Sequence, residues 1–348
     1  MLPIRFVARP SDLPEGAPAL TLDGAFPSTS DAGLHLAHWP GNRTPDALRR
    51  DLSTEIVFAF LELPDGEQQE LLNGSEFIAL NHYDTDGICA LFALTRQEEA
   101  LRHRELLVDV AASGDFHAVR SEHALCIDSV LRNLKGIDKL ALTQDALDVL
   151  GELLGDPKAA LERAEVYLAA YRNGRADLED ALFDDLIYMD MGVWTAPLRS
   201  ADAPLFDPGR HAFFADARAD RALLLGRSAG GTTARFVLGT YSFFDVVSRK
   251  PSPRPDLAAL CKRLNEAEGC STDGAHCWRH QDQRGASPEL WFGTEGLPLY
   301  AEHAAEHLGV SSLSPENVKA MCIDAVRATW PLPDDDDEAD DDEDIFAV

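Results

Sequence analysis

Asn81-His82-Tyr83-Asp84-Thr85-Asp86-Gly87 puts an imidazole and two carboxylates on alternate residues, between the apolar runs Phe77-Ile78-Ala79-Leu80 and Ile88-Cys89-Ala90-Leu91-Phe92. Carboxylate oxygens suit Mg2+ or Mn2+, and an imidazole among them favours Mn2+ or a similar transition metal. Such a set can hold a divalent ion that lowers the pKa of water and neutralises phosphoryl oxygens. Gly87 permits a tight turn into the segment that follows. The competing reading is that the acids cap a helix and His82 is an ordinary hydrogen-bonded side chain.

For the ligands to converge, the first run must be a central strand and the second a helix. The loop then leaves the sheet at its carboxyl edge, where open α/β sheets bind ligands. Continuous apolar runs suit a parallel sheet buried on both faces. "EFIALN" and "LLVDVA" read as such strands, with "DGICALFALT" as the helix between, so residues 77–110 form a candidate βαβ unit. "ALTLDGA" and "LHLAHW" read as short strands and "PGNRTP" as a turn. "TPDALRRDLSTEIVFAFLEL" reads as a helix with Thr44 as N-cap and Pro45 at its first position. "ALCIDSVL" fits helix or strand.

Residues 142–195 read as a helical connector. Asp156-Pro157 starts one helix and Gly174 stops it, and Leu178, Leu182, Phe183, Leu186 and Ile187 share a face of the next. Beyond a Pro-, Asp- and Ala-rich boundary, "RALLLGR", "ARFVLGTYSFFDVVSR" and "PELWFG" read as strands. "RPDLAALCKRLNEAEG" and "SPENVKAMCIDAVRATW" read as helices, the second capped by Ser314 with Pro315 following. The fold class is α/β: an N-terminal mostly parallel sheet with helices on both faces (1–141), the connector (142–195), and a smaller C-terminal α/β domain (196–330). An acidic tail (331–348) cannot bury enough apolar surface to fold and is expected to be disordered.

The net charge over 348 residues is −29. Residues 334–344 contribute ten acids, and the remainder is still −19 (−29 + 10). A surface this acidic disfavours long nucleic acid and anionic membranes. The six cysteines form no CxxC and no dense framework, which points to a reducing cytoplasm. No apolar run reaches the ~20 residues of a spanning helix, and the N-terminus lacks a signal-peptide pattern. Cys261, Cys270, His276, Cys277 and His280 match no common zinc spacing and read as core cysteines and surface histidines. No GxSxG, P-loop or HExxH is present.

"NHYDTDGICALFAL" resembles the first motif of the DHH phosphoesterase superfamily, an apolar strand followed by D-x-D, a small residue and an apolar helix. The resemblance implies one or two Mn2+ or Mg2+ ions between a DHH domain and a smaller C-terminal domain. Asp84 and Asp86 match its metal aspartates, and His82 occupies a slot that is Asp or Asn in several members. The further metal aspartate implied at the end of a later strand falls on Asp109, with Asp115 as the alternative. No D-H-H triplet is present, so His38, His117 or His123 would replace it. The C-terminal G-G-H signature is reduced to Gly230-Gly231. "HWPGNRTP", "NHYDTDG" and "FDVVSRKPSPRPDLAALCKRLNEAEG" together also resemble a bacterial family of uncharacterised proteins.

These observations yield a metal-dependent hydrolase of a phosphate ester or anhydride: a small phosphodiester, nucleotide or short oligonucleotide. His82 and Asp86 are the catalytic candidates. His82, Asp84, Asp86, Asp109 and Asp115 are the metal candidates. His38, His117 and His123 are candidates for contacting substrate. Arg249 and Arg254, beside a strand-to-helix connection, could clamp phosphate, since Arg binds it in a bidentate fork and a helix N-terminus adds positive charge. The alternative is a non-catalytic binding or regulatory protein on a degenerate DHH-like fold. A homodimer is compatible with either, and "IFAV" after the acidic run could dock an unidentified partner.

Overall fold

The computed structural model describes residues 2–7, 19–24, 26, 33–200, 202–215, 219–228, 230–270 and 274–329. The acidic tail lies outside them. The architecture is α/β, with a parallel sheet, a second mixed sheet and, among the described residues, 12 α-helices.

The first sheet holds β1 (Ile4–Phe6), β2 (Ala19–Leu22), β3 (His35–Leu36) and β4 (Phe77–Leu80), in the order β1-β4-β2-β3 with every pair parallel. All four residues of β2 and of β4 are buried, which explains the uninterrupted apolar run of β4; the one polar residue of β2, Thr21, turns its hydroxyl to the Leu34 carbonyl at 3.5 Å. Helices α1 (Ser53–Leu61), α2 (Asp65–Leu72), α3 (Thr85–Thr95), α4 (Gln97–Arg102), α5 (Arg104–Phe116), α6 (Glu122–Asn133), α7 (Lys139–Gly155), α8 (Pro157–Arg163) and α9 (Glu165–Glu179) follow. Core residues from β2–β4, α1 and α3–α9 form one cluster with Leu20, Ile56, Ile78, Leu91, Phe92 and Leu125.

The second sheet runs β5 (Leu182–Leu186), β6 (Met191–Arg199), β7 (Arg221–Ser228), β8 (Gly231–Leu238), then β10 (Glu289–Gly293) and β9 (Cys277–His280). Only β6 and β7 pair in parallel. Helices α10 (Arg210–Phe214), α11 (Leu257–Glu268) and α12 (Pro315–Arg327) belong to this part, with Asp256 capping α11 and Ser314 capping α12. Tyr241 and Phe244, after β8, pack into the first core, so the two sheets are tied through the loop at 240–248.

Several sequence expectations are corrected. The run "LLVDVA" lies inside α5, because Leu107, Val110 and Ala111 recur at helical spacing and are buried. The expected βαβ crossover therefore continues from α3 into further helices. "ALCIDSVL" is helix α6. Thr44 caps no α-helix: its hydroxyl donates to the Ala37 carbonyl at 2.7 Å and accepts from the Ala37 N–H at 2.9 Å. A short 3-10 turn, Asp46–Leu48, follows it, and the α-helix starts at Ser53. Gly174 does not stop its helix, which runs to Glu179. The apolar positions from Leu182 to Ile187 fit a helix in isolation, but this stretch pairs as edge strand β5 with β6, Phe183 stacking on Trp194 at 4.7 Å.

Candidate metal centre

The strand order explains the site. β4, β2 and β3 are neighbours in the parallel sheet, so their carboxyl ends open side by side. Asp23 follows β2, His38 follows β3 by two residues, and His82, Asp84 and Asp86 follow β4. Because β2 lies between the other two, Asp23 stands between the loop after β4 and the loop after β3. Asp115, in the last turn of α5, joins from the side.

Two overlapping sets result: Asp23, His82 and Asp84, and Asp23, His38 and Asp86. Within each, one ligand atom per residue lies within 4.8 Å of the others. His38 Nε2 is 3.0 Å from Asp115 Oδ2, 3.6 Å from Asp86 Oδ2 and 3.7 Å from Asp23 Oδ1. His82 Nε2 is 2.5 Å from Asp84 Oδ2 and 3.5 Å from Asp23 Oδ2. Asp23, His38 and Asp86 are buried, whereas the His82 and Asp84 side chains are 29% and 27% exposed, which makes their side the mouth.

Each ligand is oriented by a group behind it. His38 Nδ1 donates to the Asp51 carbonyl at 2.5 Å, which in the neutral ring leaves the Nε2 lone pair toward the carboxylates. That is the tautomer a metal-ligating histidine adopts. Its ring stacks on Phe244 at 4.0 Å. Asp86 accepts the Ser53 N–H at 2.7 Å on one oxygen and the Thr54 N–H at 2.9 Å on the other. It thereby caps α1, whose own N-cap residue, Leu52, supplies no side-chain bond. Asp84 caps α3 through Oδ1, accepting the Gly87 N–H at 2.8 Å, and leaves Oδ2 for the cluster. The capping reading of these acids is met, and it leaves Asp84 Oδ2 facing the cluster. Asp23 accepts the Ser53 hydroxyl at 2.7 Å and holds a φ of 45°, an uncommon conformation for a non-glycine residue. A Cβ on Gly87 would stand 2.9 Å from Asp23 Oδ2 and 3.0 Å from Asp84 Oδ1, so glycine keeps the centre open.

Electrostatically the carboxylates of the cluster, Asp23, Asp84, Asp86 and Asp115, outnumber its two imidazoles. Burial, then the charges of Asp84, Asp86 and Asp115, push the Asp23 carboxyl well above its ordinary range. Burial and the charges of Asp84 and Asp86 do the same to Asp115. Burial also raises Asp86 against the opposing pull of His38 and Thr54. Burial works on Asp84 in the same sense, but the charge and hydrogen bond of His82 override it and hold Asp84 low. Burial disfavours the His82 imidazolium, yet Asp84 outweighs it and raises the His82 pKa. Asp23 Oδ2, His38 Nε2 and Asp115 Oδ2 are buried without a hydrogen-bond partner. Orphaned acceptors in a buried acidic cluster are costly. A divalent cation would supply positive charge to balance the carboxylates, and the donor set of carboxylate oxygens and imidazole nitrogen fits one.

A profile for one protein family matches residues 2–337. The chain belongs to DUF6687, a family of unknown function. No curated protein matches it. Among solved structures, a pGpG-specific phosphodiesterase, PggH from Vibrio cholerae, aligns with 90% of this chain and 84% of its own. The identity is 12% and the TM-score 0.34.

Of the metal candidates, His82, Asp84, Asp86 and Asp115 come together. Asp109 does not: on helix α5, it is bonded to Arg120 at 3.2 Å and is no strand-end residue. Among the histidines weighed as substitutes for a D-H-H triplet, His38 is at the centre. His123 Nε2 meets the Leu153 carbonyl at 2.9 Å, away from the cluster. His117 is buried in the left-handed conformation after α5, its ring centroid 5.0 Å from that of His211. Arg254 is committed to the carbonyls of Gly239, Gln283, Gly285 and Ala286, and Arg249 lies 3.8 Å over the Tyr241 ring. The thiols of Cys261 and Cys270 bond within the second core. The residue that sequence reasoning missed is Asp23. Its only signal was an apolar strand ending in Asp-Gly, which reads as a turn. No described helix is long and apolar enough to cross a membrane.

Proposed function

We propose that this protein is a metal-dependent hydrolase of a phosphate ester or anhydride with a small phosphorylated substrate, using Mn2+ or Mg2+. The observation that carries the reading is the pair of overlapping ligand sets that share Asp23, with unpartnered Asp23 Oδ2 and His38 Nε2 inside them. Asp23, His38 and Asp86 would hold one ion. Asp23, His82 and Asp84 would hold a second, with Asp115 beside His38. A bound divalent ion supplies Lewis-acid charge for phosphoryl oxygens and a lowered pKa for water.

The chain's own residues do the remaining work. Asp86 and Ser53 fix the deep side, and Phe244 and Trp39 wall the histidines from solvent, Trp39 standing edge-on to His82 at 4.7 Å. His82 has bonding partners at both nitrogens, Asn81 at 2.6 Å and Asp84 at 2.5 Å, so as an imidazolium it would serve as a proton donor in place of a ligand to the second ion. At the mouth it can retain a proton where a leaving oxygen needs one. On this reading the first sheet with α1–α9 forms the metal-binding unit, and the part built on the second sheet covers His38 through Phe244. The strand-loop-helix around Asp84 and Asp86 agrees with the resemblance to DHH phosphoesterases.

The test is a hydrolysis screen of small phosphodiesters, nucleotides and pyrophosphate with Mn2+ and Mg2+, alongside metal analysis of the protein. Asp86→Asn is expected to lose both metal and activity, and Asp109→Asn to lose neither. Equal hydrolysis by the native chain and Asp86→Asn removes the site. His82→Asn separates two roles: lost metal makes His82 a ligand, and retained metal with lost rate makes it the proton donor.

A further inference from the structure

A cavity of about 430 Å3 lies between α6, α9 and the segment carrying Glu302 and His303, and none of the cluster residues lines it. That volume lies in the usual range for small-molecule sites. Its polar floor is built. His211, its side chain 4% exposed, reaches Asp128 at 3.2 Å and Glu302 at 3.1 Å. Arg132 reaches Asp128 at 3.2 Å and the His211 ring at 3.2 Å. Burial opposes the His211 imidazolium, but Glu302 and Asp128 outweigh it and lift its pKa to about 9. Two cations therefore face two carboxylates, and the floor is neutral. The opposite wall is apolar and aromatic: Tyr167 and Tyr171 stand one turn apart on α9, with Val166 at the rim and Leu125 across from them.

We propose that this cavity is a binding site for a small, uncharged, planar heteroaromatic molecule of the nucleobase or nucleoside class, separate from the metal centre. A neutral floor favours a neutral ligand, because an added buried charge would lack a counter-ion. The tyrosine rings offer stacking surface to a flat ring. Arg132 and Ser129 can donate and Glu302 can accept, which matches a ring edge carrying both acceptors and donors. The floor also touches the back of the metal centre. Asp128 accepts the Thr85 hydroxyl at 2.7 Å, and Thr85 sits between Asp84 and Asp86.

The test is calorimetric titration of the full chain with adenine, adenosine, guanosine and uridine, and with adenosine 5′-monophosphate. At least one base or nucleoside is expected to bind, with the monophosphate weaker by about tenfold or more, the cost of placing its charge near the walls. Val166→Trp, a change at a position that is 77% exposed, should fill the rim and abolish binding without unfolding the chain. Tyr171→Ala should weaken it about tenfold. Binding should persist in Asp86→Asn with no metal present. The absence of binding by every base and nucleoside overturns the proposal, as does binding that survives Val166→Trp. Loss of binding in the folded Asp86→Asn variant places the ligand in the metal centre and also overturns it, while leaving the hydrolase reading intact.

Discussion

His211 offers a quantitative test of how the two sheets are joined. It sits on α10, in the second sheet's part of the chain, and its ring meets Asp128 of α6 and the Ser113 carbonyl of α5. Burial alone would keep it neutral; Glu302 and Asp128 reverse this and raise its pKa to about 9. Both partners answer in kind, their carboxyls held below the ordinary range against the effect of burial. A histidine whose folded pKa is raised contributes stability fully below its unfolded value of about 6.5, and that contribution is lost as pH rises through the folded value. A raise from about 6.5 to about 9 corresponds to ~3 kcal/mol, of which roughly 2.5 remains at pH 7 and almost none at pH 10. The side chain is almost fully buried, so solvent screening takes little from this figure. The assay is urea unfolding of the native chain and His211→Gln at both pH values, taking the difference so that other alkaline titrations cancel. The stability gap should shrink by about 2.5 kcal/mol between pH 7 and pH 10. A gap that is the same at both pH values refutes an imidazolium at this position.

Three further outcomes follow from the geometry. Asp115→Asn should raise the metal-free melting temperature by roughly a few degrees, because it removes a carboxyl whose charged form is disfavoured by burial and by the charges of Asp84 and Asp86, and should weaken the stabilisation by added Mn2+; a lower metal-free melting temperature contradicts the repulsion. Gly87→Ala should cost about 1–3 kcal/mol and lower metal affinity, since its Cβ would press on Asp23 and Asp84, as calorimetry with Mn2+ would show. Arg254→Ala should cost about 3 kcal/mol in a denaturation curve through lost bonds to four carbonyls. If stability instead held and only KM rose, Arg254 would be a phosphate clamp.

The sequence by itself determined the local pieces. Ala19–Leu22 was legible as a short strand, and Phe77–Leu80 as a buried parallel one, because a strand covered on both faces has no polar alternation to hide it. The caps at Asp156 and Ser314 were legible because capping is a contact over three residues. The ligand loop after β4 was legible for the same reason: His82, Asp84 and Asp86 are near one another in the chain. Tertiary structure decided the rest. Asp23 becomes the shared member only because β2 pairs between β4 and β3, and strand order is a long-range property that no local pattern encodes. His38 was one of three histidines until its Nδ1 found Asp51 and its ring found Phe244, more than 200 residues away. Asp109 and Asp115 looked alike as acids after an apolar run. Once that run is a helix, Asp115 falls in its last turn beside His38, while Asp109 lies nearly two turns earlier, beside Arg120.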